Sequence, residues 1–310
     1  MPEPDYVWLP RATLLTFEEL ARITRLFTTL GVRHVRLTGG EPLLRADLAG
    51  LIAHLRAIDA IDDLAMTTNG VLLAPQAAPL RAAGLHRLTV SLDTLRRDRF
   101  AALTRRDQLA DVLAGIDAAV ATFGAIKLDT VLMRGTNDDE IADLLGFAAE
   151  RRAEIRFIEY MDVPGATQWE PTRVVSRADI LASVTAAFGA VEALPPDGPA
   201  PAQRFRLPSG QVFGIIASTT TPFCATCDRI RLTADGHLYS CLYATEGLDI
   251  RAPLRDGASD DALSALVAGT WRARADRGAE ARLATGNRGA FIRVEDLRRA
   301  PQLEMHTRGG

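Results

Sequence analysis

Apolar and polar positions along this chain alternate between two periods. Between residue 16 and about residue 190, stretches with apolar residues on one helical face are separated by short β-branched runs. Thr16-Phe-Glu-Glu19 has the spacing of a capping box, and Gly31 stands where the helix it opens should close. The next run, 34–37, predicts a strand ending in Thr38-Gly39-Gly40-Glu41-Pro42, followed by a helix to about residue 60. Further strands are predicted at 63–67, 87–92, 126–132 and 154–159. Thr67-Thr68-Asn69-Gly70 closes the first of these and Ser91-Leu92-Asp93 the second. The starts recur at roughly 25–40 residues, the period of βα units in a parallel sheet. Polar and glycine-rich motifs stand at the strand ends, the carboxyl edge where such folds bind ligands. Uniform succession of units favours a closed or partly closed barrel, although a doubly wound open sheet fits the same spacing.

Composition changes near residue 190. The Pro- and Gly-rich stretch 194–201 reads as a loop or linker. It is followed by alternating segments at 204–207 and 212–217, a cysteine-bearing region, a helix near 259–275 and a polar tail ending in Gly309-Gly310. The expected division is a first domain over 1–190 and a second region over 191–310.

All three cysteines lie within eighteen residues. An odd set cannot fully pair as disulfides, and metal ligation is the better reading. Cys224 and Cys227 form a C-x-x-C, and Asp235-Gly236 predicts a hairpin turn that carries Cys241 back toward them. Three thiolates fit three irons of a four-iron cluster and leave one iron open. Zinc held by these cysteines and His237, which stands four residues before Cys241 on one strand, is the competing reading.

Candidate anion-binding groups accompany the cysteines. Arg229 and Arg231 alternate along one strand and so share a face. Arg36 lies within a predicted strand, and Lys127, the only lysine among 36 basic residues, lies in another. A cation among barrel-strand residues either snorkels out or faces a polar cavity. Such cations together suit a triphosphate.

The net charge of −3 argues against a broad surface for duplex nucleic acid. No apolar run approaches the ~20 residues of a membrane helix, and the start has no signal-peptide pattern. A cytoplasmic enzyme is the expectation.

Taken together, Arg36-Leu-Thr-Gly-Gly-Glu-Pro42, Thr67-Thr-Asn-Gly70, Val90-Ser-Leu-Asp93, Ile155-Arg-Phe-Ile-Glu-Tyr-Met-Asp162, the cysteine hairpin and the terminal Gly-Gly resemble the molybdenum cofactor biosynthesis protein A family. These are radical S-adenosylmethionine GTP 3′,8-cyclases, a class of lyases. The resemblance implies an α/β fold with a partial (β/α)6 TIM-like barrel over 1–190 and a cluster region over 191–310. It places S-adenosylmethionine at Gly40, Ser91 and Met161, and GTP at Arg36, Thr67, Lys127, Arg229, Ile230 and Arg231. Cys224, Cys227 and Cys241 would hold an auxiliary [4Fe-4S] cluster facing the guanine, and the Gly309-Gly310 tail would reach the active site. The implied reaction converts GTP to 3′,8-cyclo-7,8-dihydroguanosine triphosphate through a radical drawn from S-adenosylmethionine. An external electron donor is required, and a homodimer is left open.

One family feature is absent from the sequence. Members carry an amino-terminal C-x3-C-x2-C motif, normally followed by Met-Pro, whose cluster cleaves S-adenosylmethionine; this chain begins Met1-Pro2. The ligands of that second [4Fe-4S] cluster, an upstream arginine that helps bind GTP and the barrel's first strand are then missing. The expectation is that the 310-residue chain cannot start the radical reaction but could hold the auxiliary cluster and perhaps GTP. The alternatives are another radical enzyme with an auxiliary cluster, or a GTP- or metal-binding relic without catalysis.

Overall fold

The structure, a computed structural model, describes residues 9–286 and 288–309; Met1, Pro2 and Gly310 lie outside the described residues. Thr16 caps the helix Phe17–Thr29 as its spacing predicts, with Thr16 Oγ1 accepting from the Glu19 amide and the Glu19 carboxylate accepting from the Thr16 amide.

Five parallel strands follow in chain order: β1 (His34–Leu37), β2 (Asp63–Thr68), β3 (Arg87–Ser91), β4 (Lys127–Leu132) and β5 (Glu154–Glu159). The chain then passes through the helix Arg177–Phe188 and the hairpin β6 (Glu192–Ala193) and β7 (Gln203–Arg206) into β8 (Val212–Ile216). Strand β8 pairs parallel to β5, giving the sheet order β1-β2-β3-β4-β5-β8-β7-β6. Among the described residues six parallel strands therefore run side by side, and the sheet continues past residue 190 without a break.

Register decides what each face carries. Thr67 lies opposite Thr89, Thr89 opposite Lys127, and Lys127 opposite Glu154; Asp129 lies opposite Arg156, and Arg156 opposite Gly214. Since side chains alternate along a strand, these residues share one face. Leu64, Met66, Leu88, Val90, Leu128, Leu132, Ile155 and Phe157 share the other, and all are buried against helices that contribute Ile52, Leu80, Val112, Ile116, Leu144 and Ile180. Each large side chain so buried contributes about 1.5–3 kcal/mol. The apolar core is therefore the layer between sheet and helices, while the opposite face is polar.

A second core forms where Leu15, Ile23, Leu26 and Phe27 meet Leu238, Ile250, Leu254, Leu263 and Val267. It fixes a small antiparallel sheet, β9 (Arg231–Leu232), β10 (His237–Tyr239) and β11 (Leu248–Asp249), against the helix Phe17–Thr29. Leu20 packs against both cores and so bridges them. Among the described residues no helix is long and apolar enough to cross a membrane.

Candidate functional site

Three carboxylates tie down the carboxyl edge of the sheet. Glu41 accepts from the Leu43 amide, the Thr68 hydroxyl and the Asn69 amide at 2.7–2.9 Å, locking the end of β1 to that of β2. Glu140 accepts from the Thr94 hydroxyl at 2.6 Å and the Leu95 amide at 2.7 Å. Glu159, fully buried, accepts from the Arg177, Thr219 and Thr220 amides and from the Thr220 hydroxyl. An ionised acceptor bound by several N–H and O–H groups makes a strong anchor. Glu41 is thus consumed in fixing the turn, and Gly39 and Gly40 present bare backbone beside it.

On the polar face of the sheet, Arg36 donates to Thr67 at 2.9 Å and to Thr89 at 3.2 Å. Arg156 forms a bidentate pair with Asp129 at 2.6 and 2.9 Å. Crowding by burial, and next the Arg156 charge, hold Arg36 below its ordinary pKa. Lys127 meets Glu154 at 3.3 Å. Closer to the amino ends of the strands, Arg87 grips Asp63. Ser91 ends β3, while Met161 follows β5 and precedes the buried Asp162. The strand-end candidates Gly40, Ser91 and Met161 therefore belong to one edge, and Arg36, Thr67 and Lys127 to the face beneath it.

The cysteine region folds as the turn signal predicts: Leu232 pairs with Leu238, and Gly236 takes φ +88° at the bend. His237 Nδ1 lies 3.1 Å from an Asp235 carboxylate oxygen, and its ring is engaged there. Among the described residues, no three His, Cys, Asp or Glu side chains gather closely enough to hold a single ion. Arg229 Nη2 stands 3.5 Å from the Cys227 sulfur and stacks over Phe223, while Arg274 donates to the Cys227 carbonyl at 2.7 Å. Burial works against ionisation of Cys227, yet the Arg229 amide and charge bring its thiol below the ordinary value. Arg231 is pushed down to about 10, first by burial and then by Arg229, and remains charged at neutral pH. Ile230 is partly buried, its side chain packed against the second core.

Two further connections close the site. Asp162, at the end of β5, accepts from Tyr243 at 3.0 Å, from Arg282 at 2.7 Å and twice from Arg288 at 2.8 and 2.9 Å. The chain's tail crosses to the main sheet: a Cβ on Gly309 would lie 2.4 Å from Thr38 Cγ2, so the tail glycine touches the turn after β1.

Residues 4–148 match the Radical SAM superfamily and residues 153–280 match Molybdenum Cofactor Synthesis C. A GTP 3′,8-cyclase 3 from Mycobacterium bovis is 53% identical, over all of this chain and 83% of that relative. The chain belongs to the GTP 3′,8-cyclase family. A family member from Acidothermus cellulolyticus is 48% identical over 90% of this chain and 79% of its own length. The solved structure described as native anSMEcpe with bound AdoMet overlays with a TM-score of 0.51 at 13% identity, covering 75% of this chain and 67% of that one, and so shares the fold. The α/β architecture with a TIM-like parallel sheet is that of the superfamily, which implies S-adenosylmethionine and a [4Fe-4S] cluster.

Several groups at this family site escaped the sequence reading. Arg156 and Asp129 were visible as charged residues alternating with apolar ones in β4 and β5. Asp162 closes the Ile155–Asp162 motif, and nothing in that local pattern gives it a role. Arg288 and Arg308 carry no local signal, because their partners are distant in sequence.

Proposed function

We propose that the chain binds GTP across the polar sheet face and the cysteine hairpin, the substrate-binding part of a lyase of molybdenum cofactor biosynthesis whose reaction forms 3′,8-cyclo-7,8-dihydroguanosine triphosphate. The observation that carries this reading is the charged interior face. A barrel interior is ordinarily filled by layers of branched apolar side chains; here the corresponding positions hold Arg36, Thr67, Thr89, Lys127, Asp129 and Arg156. Arg36 and Lys127, joined by Arg229 and Arg231, supply cations and hydrogen-bond forks for a triphosphate. The Ile230 backbone offers a further polar contact.

Cys224, Cys227 and Cys241 suit an auxiliary [4Fe-4S] cluster. A zinc ion needs its sulfurs about 2.3 Å away around one point. The described thiols are not gathered in that way, and a four-iron cluster spreads its ligands over separate corners. In this reading His237 is an ordinary strand residue whose Nδ1 faces Asp235. Arginines around the hairpin offset the negative charge such a cluster carries. Gly40, Ser91 and Met161 line the edge where S-adenosylmethionine would lie; cleaved there by an electron from a [4Fe-4S] cluster other than the one at the hairpin, it would supply the hydrogen-abstracting chemistry. The protein's own contribution is to orient the ribose and guanine and to exclude water. In this reading, 1–190 hold S-adenosylmethionine and 191–310 hold the cluster and guanine, with an external donor providing electrons in the cytoplasm.

Anaerobic calorimetry on cluster-loaded protein tests the proposal. GTP should bind with ATP at least tenfold weaker, and Arg231→Met should weaken GTP by about tenfold, or 1.4 kcal/mol. Equal affinity for ATP and GTP, or no nucleotide binding, would overturn it.

A further inference from the structure

Arg308 stands one residue before the tail glycine and is only 3% exposed. Its guanidinium lies 4.1 Å from the centroid of the Tyr239 ring. Nη1 donates to the Leu242 carbonyl at 3.1 Å and the Ala244 carbonyl at 2.5 Å, and Nε donates to the Gln302 carbonyl at 3.3 Å. Tyr239, Leu242 and Ala244 bracket Cys241 on both sides in the chain. The remaining amine, Nη2, is buried without a hydrogen-bond partner among the described residues. A buried guanidinium N–H left unpaired is costly. Here it sits on a cation whose other donors are fixed to the loop carrying Cys241.

We propose that Arg308 is a positioning residue that joins the tail to the cysteine-held cluster, its guanidinium charge fixed beside Cys241 by the Leu242 and Ala244 carbonyls. This inference rests on the reading of Cys224, Cys227 and Cys241 as cluster ligands. It has two consequences. The cation stabilises the more negative, reduced state of the cluster, because net charge and hydrogen bonds to sulfur set its potential. The same side chain fixes Gly309 against Thr38, so charge at the cluster and seating of the tail at the strand-end turn are coupled. A reduced cluster holds the tail more firmly than an oxidised one.

The test is an anaerobic redox titration followed by electron paramagnetic resonance, on cluster-loaded wild type, Arg308→Met and Arg308→Lys. Arg308→Met should shift the cluster midpoint to more negative values, and Arg308→Lys, which keeps the charge, should stay near wild type. A chain ending at Thr307 removes the same cation and brings its new terminal carboxylate nearer, so it should shift further in the same direction. A loaded Arg308→Met with an unchanged midpoint overturns the proposal. So does an unchanged midpoint accompanied by weakened GTP binding, which would assign Nη2 to a substrate phosphate. If Arg308→Met and the shortened chain both fold by circular dichroism yet take up no cluster, Arg308 is a packing residue and the proposal is again overturned. A wild-type chain that takes up no cluster overturns the underlying reading of the cysteines, and this inference with it.

Discussion

Tyr243 donates its phenolic hydrogen to Asp162 across 3.0 Å, joining the loop after Cys241 to the end of β5. The same carboxylate receives Arg282 and Arg288, whose side chains are mostly buried. Asp162 is therefore the point at which the main sheet, the cysteine hairpin and the carboxyl-terminal segment are held together.

Removing Asp162 leaves two guanidinium groups without their counter-ion. Breaking one partner out of a buried pair costs about 3–5 kcal/mol, and Asp162→Ala should lose stability on that scale in chemical denaturation. Burial opposes the charged carboxylate, but Arg288 and Arg282 prevail and hold its pKa below the ordinary value. A depressed carboxyl stabilises the fold above its unfolded pKa of about 3.9 and loses that contribution as pH falls further. Wild type should therefore weaken more steeply below about pH 4 than Asp162→Asn does. Parallel curves for the two proteins would refute the assignment.

Asp93 behaves in the opposite sense. Burial pushes its carboxyl up to about 6, although Oδ1 accepts from the Val131 amide at 2.8 Å. A raised carboxyl contributes fully below about pH 3.9 and loses that contribution as pH rises through its folded value. Asp93→Asn keeps an acceptor for Val131 and removes the charge. It should gain about 2 kcal/mol on wild type between pH 4 and pH 7.5 in urea melts.

Lys127 is paired with Glu154, which also places negative charge on the face proposed for the triphosphate. Glu154→Gln should bind GTP several-fold more tightly, and Lys127→Met about tenfold more weakly. A Glu154→Gln protein with weaker binding would mean that the carboxylate positions Lys127 for the ligand instead of competing with it.

The sequence has three cysteines and no others. Anaerobic reconstitution of the 310-residue chain should give about four irons and four sulfides per chain, one cluster's worth, and Cys241→Ser should lower that content. About eight irons in the wild type would show ligands beyond the cysteines.

Gly309 takes φ +76° beside Thr38. Gly309→Ala should unseat the tail, seen as faster carboxypeptidase trimming, with global stability changed by less than about 1 kcal/mol because the residue is near the chain's end. Thr38→Ser removes the clashing methyl and should restore part of the protection, while the positive φ keeps recovery incomplete.

Much of the fold could be read from spacing. The βα period placed the five strands β1–β5, and the Thr16 capping box and the Asp235-Gly236 turn appear as anticipated. Local pattern carries such features because each is decided within a few residues. The return of β8 to β5, across the Pro-rich stretch and a hairpin, was not legible, since a pattern of alternation does not name its partner strand. The site divides in the same way. The strand-end motifs and the cysteine spacing were visible, but Arg288 meets Asp162 over 126 positions and Arg308 meets Leu242 over 66. Such pairs become apparent only after folding.

The charged interior of the sheet has a consequence for how this fold can diverge. Cohesion resides in the outer layer, where Leu64, Leu88, Leu128 and Ile155 are shielded by helices, whereas Thr67, Lys127 and Asp129 stand on the opposite face. Exchanges at the inner positions can re-aim ligand selectivity while leaving the hydrophobic wall intact. Mutations that reshape chemistry and mutations that unfold the protein should therefore occupy alternate residues of the same strands.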